Sequence, residues 1–346
     1  MSRPDGAVEV LPLRGLPEVR DGDELATLLL AATIPVGGLR DGDVLVVSSK
    51  VLSKALGLRE PVDGADREAL VLRHARRVVA ERRTSSGTTR IVEADAGPVM
   101  AAAGLDASNT GPDAGVLVLP PDPDAAAADL HAALAARAPD VRFAVLVSDT
   151  AGRPWRSGQT DLALGSHALR VLEDLRAGTD ADGRPLAVTA RALADEIAAA
   201  ADLVKGKVDG VPAALVRGLP GVVDPQTTED ARSLVRTGPG DWFALGHVEA
   251  VRAALGAPPG TEAAESVGIP SVGPERPDDR GSRAVRLALL GHPGARVVGS
   301  AASGYAVSAA DPVLAGRVAA RLEVALAGEG LPSTVTAEAD RSPSGR

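Results

Sequence analysis

The chain has 346 residues, a formal net charge of −9 and no cysteine. Its length allows one large core or two modest ones, the lack of Cys excludes disulfides, thiolate metal sites and thiol nucleophiles, and the acidic balance argues against nucleic-acid or membrane-surface partners. The first residues (MSRPDGAVEV) hold no apolar core of signal-peptide length and no apolar run approaches a membrane span, so a soluble cytoplasmic protein is expected.

Residues 7–13 (AVEVLPL) alternate like a strand and lead into a turn at Gly15-Leu16-Pro17. Residues 23–33 carry apolar groups at helical spacing. DGDVLVVSSK follows, a turn and then a buried strand ending in Ser48, Ser49 and Lys50. Residues 66–83 are predicted as an amphipathic helix with an Arg-rich outer face. Residues 115–119 and 143–148 are predicted as buried strands, with an Ala-rich helix over 124–137 between them. A strand at 185–190, a helix over 191–204 and a strand at 211–217 complete the main part. Strands and helices without strict alternation indicate an α+β fold. Domain boundaries are set at 7–245 for the main domain and 256–281 for a Pro/Gly-rich linker. A small C-terminal segment of unknown function spans 282–330, and a disordered tail 331–346.

Only four of the 37 basic residues are Lys: Lys50, Lys54, Lys205 and Lys207. In a chain whose surface cations are otherwise Arg, a retained Lys marks a place for a compact ammonium, unless the four are compositional leftovers. Asn109 is the single Asn. GxSxG, HExxH and GxGxxG motifs are absent, and ADLVKGKV (Ala201 to Val208) lacks the first Gly and the hydroxyl residue of a P-loop. Two polar loops follow apolar segments, one at 104–110 (GLDASNT) and one at 148–156 (SDTAGRPWR). An Asp at the end of a buried strand is a frequent site for a hard cation such as Mg2+ or Mn2+, although Asp106 and Asp149 could each simply cap a turn. Together with the Lys pairs, Arg153 and Arg156, the set suits phosphoryl transfer on an anionic substrate.

In series, GLPEV, DGDVLVVSSKVLSKALG, AAAGLDASN, SDTAGRPWRSGQTDLALG, ADEIAAAADLVKGK and DGVPAALVRGL resemble the coenzyme F420-0:L-glutamate ligase (gamma-glutamyl ligase) family over about residues 8–240, in particular the N-terminal ligase domain of the actinobacterial fused enzyme. The resemblance implies an α+β fold in an intertwined homodimer. It also implies GTP as co-substrate, two divalent metals (Mg2+ or Mn2+), a monovalent cation such as K+, and F420-0 and L-glutamate as substrates. Carried over by residue, Leu16, Pro17, Glu18, Val19, Ser49, Lys54 and Asn109 contact GTP, as does the segment Lys205, Gly206, Lys207. Asp106 and Asp149 hold one metal and Thr150 a second, with Lys54, Arg153 and Arg156 in catalytic roles. Where some archaeal members carry a Glu metal ligand, this chain has Lys207, so fewer protein ligands hold the second metal or the Lys supplies part of its charge. Asp241 to Val251 is similar to the junction with a flavin-binding domain in fused relatives, but too little chain follows for FMN to be expected. The alternatives are another carboxylate–amine ligase of the same fold and a non-catalytic nucleotide- or metal-binding regulator.

Overall fold

In the computed structural model the described residues are 6–62, 67–111, 114–176, 178–332 and 334–339. They divide into two compact units, one of residues 1–67 with 94–236, the other of 68–93 with 237–346.

The first unit is built on a five-stranded mixed sheet in the order Glu9–Pro12, Ala213–Arg217, Val44–Ser48, Ala144–Arg153, Arg156–His167. Val44–Ser48 and Ala144–Arg153 are parallel neighbours, and the other pairings are antiparallel. The runs VLVV and AVLV are apolar at every position because both faces are covered. Leu45, Val47, Val145 and Val147 pack with Leu29, Leu52 and Leu134 on one side. Val44, Val46, Ala144 and Leu146 pack with Ala194, Ile197 and Ala201 on the other. Alternate residues thus enter opposite cores, as the two-residue period of a strand requires.

The covering helices start and stop where their sequences dictate. In Pro123–Ala135, Pro123 occupies the first turn and the Asp122 carboxylate accepts the backbone N–H of Ala125 at 3.0 Å. That helix lies so close to the sheet that a Cβ on Gly165 would sit 2.1 Å from the Pro123 backbone. Leu193–Lys205 ends on Gly206, whose φ of 62° belongs to the left-handed region. The expected strands and helices of this unit are present with shifted ends. The main exceptions are 115–119, reduced to Val116–Leu117, and 185–190, of which only residue 190 enters a strand.

The second unit departs further from expectation. Residues 67–83 are helical only over Arg67–Arg73, and Ala75–Thr84 is a strand beside Gly87–Ala94. Arg and Val in pairs fit a helical stripe as well as a strand, and the Ser85–Ser86 turn decides for the strand. Residues 256–281, expected as a linker, contain the helix Glu262–Val267 and bury Ala257, Ala264, Val267 and Ile269. The helices Pro277–Leu289 and Pro312–Gly328 close a shared core with Val307 of the strand Gly304–Ala309. The expected tail contributes Val335–Ala339 as a strand parallel to Gly304–Ala309, while 340–346 lie outside the described residues. Ion pairs made by buried arginines bind the unit together: Arg283 to Glu275 and Glu329, and Arg90 to Glu81 and Glu265.

Candidate functional site

Parallel pairing of Val44–Ser48 with Ala144–Arg153 brings Ser48, the last residue of its strand, opposite Ser148, where the longer strand runs on to Arg153 in a hairpin instead of opening into the loop expected over 148–156. Pro212 meets the same edge, its carbonyl accepting the Ser48 N–H at 2.8 Å, and the helix Leu193–Lys205 ends there too. A crevice beyond the carboxyl ends of parallel strands is the usual ligand position in sheets covered on both faces. Here it is a cleft of about 760 Å³. A register shift between Val147 and Ser148 marks a bulge just before Asp149. Bulges beside sites re-aim the side chains that follow.

All four lysines of the chain line this cleft. Lys50 Nζ lies 2.6 Å from Asp106 Oδ2 and donates to Ser108 Oγ at 3.0 Å. Lys54 is paired with Glu18. Lys205, buried at 4% exposure, donates to Asp161 Oδ2 at 2.5 Å and to Ser148 Oγ at 2.8 Å. Lys207 acts through its charge on Asp202 and through its carbonyl, which accepts Asn109 Nδ2 at 3.0 Å. Asn109 reaches it from a left-handed backbone conformation, φ 54°, and so ties the 104–110 loop to the 206–210 loop.

The carboxylates answer these cations unevenly. Burial would raise Asp106, but hydrogen bonds from Lys50 and Ser108 outweigh it and hold the group below its ordinary range. Asp149 has no Lys. Burial pushes it up to about 6, and the charges of Asp106 and Asp161 push the same way, against hydrogen bonds from the Thr150 N–H and the Ser49 hydroxyl. Asp202 is raised by burial and by Asp161.

Of the residues expected at the site, Leu16, Pro17, Glu18, Val19, Lys54, Asn109, Asp149, Thr150, Lys205, Gly206 and Lys207 line the cleft. Ser49 is buried behind it, bonded to Asp149, and Asp106 meets it through Lys50. Arg153 and Arg156 do not line it. They face each other at the end of the Ala144–Arg153 and Arg156–His167 hairpin, on either side of the exposed Trp155. Asp161 and Asp202 were missed. A lone Asp in a strand passes for a solvent-facing position, yet Asp202 stands three residues before Lys205, on the same helical face.

Among the described residues no three His, Cys, Asp or Glu side chains gather into a metal site on their own. A cation that keeps waters and substrate oxygens needs only one or two protein carboxylates, and Asp106, Asp149 and the Thr150 hydroxyl are hard oxygen donors of that kind. A carboxylate raised first by burial and then by acidic neighbours, as Asp149 is, fits such a cation.

Residues 15–218 match the model of the family described as F420-0:Gamma-glutamyl ligase. Similar curated proteins are named coenzyme F420:L-glutamate ligase. That of Natronomonas pharaonis is 37% identical over 229 residues, covering 61% of this chain and 86% of the relative. That of Haloarcula marismortui is 38% identical over 234 residues, 61% and 87%. That of Halobacterium salinarum is 41% identical over 222 residues, 59% and 84%. With a sheet-end cleft that gathers every lysine of the chain beside buried carboxylates, and with that match over more than half its length, the chain belongs to the F420-0:gamma-glutamyl ligase family.

Proposed function

We propose that this protein adds L-glutamate to F420-0 through an amide bond, with GTP as the phosphoryl donor. The observation that carries this is the concentration of Lys50, Lys54, Lys205 and Lys207, in a chain of net charge −9, around one cleft that also holds Asp149, Asp161 and Asp202. Phosphoryl transfer to a carboxylate brings two anions together, and the site must neutralise them before they meet.

In the first step a carboxylate oxygen of the acceptor attacks the γ-phosphorus of GTP and GDP leaves, giving an acyl phosphate. In the second the glutamate amine attacks the acyl carbon, loses a proton and expels inorganic phosphate. Lys54 and Lys207, at the cleft wall, serve as point charges for the phosphates. Glu18 fixes Lys54 through its ion pair, and the Asn109 bond to Lys207 holds the two loops at the cleft edge together. Asp106 and Asp149 would hold one divalent cation and Thr150 a second, Mg2+ or Mn2+, which when bound supply charge neutralisation for the phosphates. The protein acts as a homodimer in the cytoplasm. An 82%-exposed Trp155 at a hairpin end, in a chain with only two Trp, supports a covering second copy. No helix among the described residues is long and apolar enough to cross a membrane.

The direct test uses F420-0 with its acceptor carboxylate labelled with 18O. One labelled oxygen in the released phosphate, together with a glutamylated product, is expected. Unlabelled phosphate beside glutamylated product would exclude the acyl phosphate. Glutamate joined to a different carboxylic acid, but not to F420-0, would assign another ligase of the same fold.

A further inference from the structure

Asp161, on the strand Arg156–His167, faces Thr150 directly across the sheet. It is 3% exposed, Lys205 is 4% exposed and Ser148 is fully buried. Asp161 Oδ1 accepts from Thr150 Oγ1 at 2.8 Å. Asp161 Oδ2 accepts from Ser148 Oγ at 2.8 Å and from Lys205 Nζ at 2.5 Å. A carboxylate brings no proton to these bonds, so each hydroxyl is the donor. A hydroxyl has one proton to give. Thr150, which lines the cleft, has therefore given it to Asp161, and only its lone pairs remain for anything the cleft holds.

We propose that Asp161 and Lys205 form a buried positioning pair that fixes Thr150 as an acceptor-only oxygen facing the cleft, ready for a divalent cation. This rests on the metal-dependent function proposed above. Lys205 then serves the cleft chiefly through Asp161, because Asp161 and Ser148 occupy two of its three N–H groups. Its part is to neutralise a buried carboxylate and to choose which edge of residue 161 faces Thr150. An ammonium only donates, so it always claims an oxygen. In an Asp161→Asn protein Lys205 would take the amide oxygen and leave the amide NH2 against Thr150. The hydroxyl would then have to accept, turning its own proton into the cleft. In Asp161→Asn with Lys205→Met the amide is free to turn its oxygen back.

The full-length protein is titrated with Mn2+ and free Mn2+ is read by electron paramagnetic resonance, with thermal unfolding followed in parallel. Asp161→Asn and Thr150→Val are each expected to weaken Mn2+ binding by about tenfold or more. The combined Asp161→Asn/Thr150→Val protein should bind no more weakly than Thr150→Val alone, since one change acts through the other. Asp161→Asn/Lys205→Met should regain most of the affinity that Asp161→Asn loses. If Asp161→Asn alone does not fold, Asp161→Asn/Lys205→Met is compared with Asp161→Ala/Lys205→Met, which leaves Thr150 no acceptor and should bind about tenfold more weakly. Equal affinities in that comparison, wild-type affinity in Asp161→Asn, or additive losses with Thr150→Val would overturn the inference while leaving the proposed function intact. A wild-type protein that binds no Mn2+ overturns the metal-dependent function itself, and the inference with it.

Discussion

The Lys54 side chain is 9% exposed and held by Glu18 at the wall of the cleft. A guanidinium is wider than an ammonium, spreads its charge over a plane and cannot act as a point charge in that space. Lys54→Arg is therefore expected to raise the apparent KM for GTP by about tenfold or more, nearly as much as Lys54→Ala, since a charged hydrogen bond is worth ~1.5–3 kcal/mol. Glutamate kinetics should change much less. Steady-state kinetics varying each substrate in turn check this, and wild-type behaviour in Lys54→Arg would make the lysines a compositional accident. Asp149 works in the opposite direction from the cations. Its folded-state value of about 6 lies above the ordinary 3.8, so the folded protein holds that proton more tightly than the unfolded chain. The associated stability is present below pH 4 and is lost as pH rises towards 6, about 3 kcal/mol at most. In chelator at pH 7, Asp149→Asn should thus be more stable than the wild type, yet its turnover with metal should fall by about 10²-fold or more. A variant that is less stable in chelator, or fully active at limiting Mn2+, would contradict the assignment. The sequence exposed the lysines through their scarcity. It hid Asp161, because what makes that residue matter is a partner across the sheet and another on a distant helix, Thr150 and Lys205.

At the scale of elements, strands buried on both faces were legible as unbroken apolar runs: 44–47, 144–147 and 213–216. The strand Ala75–Thr84 was not, since its buried members Val78, Val79 and Glu81 mix with Arg pairs that suit a helix stripe equally. Residues 256–281 misled for a different reason. Pro and Gly counts describe backbone freedom, whereas burial of Ala257, Ala264 and Val267 depends on small apolar residues at chosen positions. Composition alone would make residues 256–346 dispensable, and the structure reverses that expectation. Glu265 accepts from Arg90 at 2.8 Å, and the Gly260 N–H donates to Glu81 at 3.2 Å. Truncation before residue 256 leaves Arg90 and Glu81, both almost fully buried, without those partners and strips the core around Leu287, Val307 and Leu322. Insoluble or molten protein is expected by circular dichroism and gel filtration. A truncated protein that is folded and fully active would show that 68–93 needs none of these contacts. Glu81 gives a subtler check within the same unit. Burial raises its carboxyl despite Arg90, so stability should fall as pH rises above the ordinary carboxylate range. Glu81→Gln should flatten that fall in thermal unfolding.

For the whole molecule the central quantity is charge. A net −9 would repel the nucleoside triphosphate of the proposed reaction at long range, and the compact cations gathered in the cleft would offset this. Arg elsewhere serves structure, as Arg217 does on buried Asp43 and Arg283 on Glu275 and Glu329. Light scattering should give twice the chain mass if Trp155 is covered by a second copy, and Trp155→Ala should lower it; a single-chain mass for the wild type would exclude the dimer. The most direct measurement is mass spectrometry of F420-0 incubated with the purified full-length protein, L-glutamate, GTP and Mn2+. Products heavier by one or more glutamyl units, formed only with GTP and absent with Asp149→Asn, are predicted. GTP consumed while F420-0 keeps its mass would contradict the proposed activity.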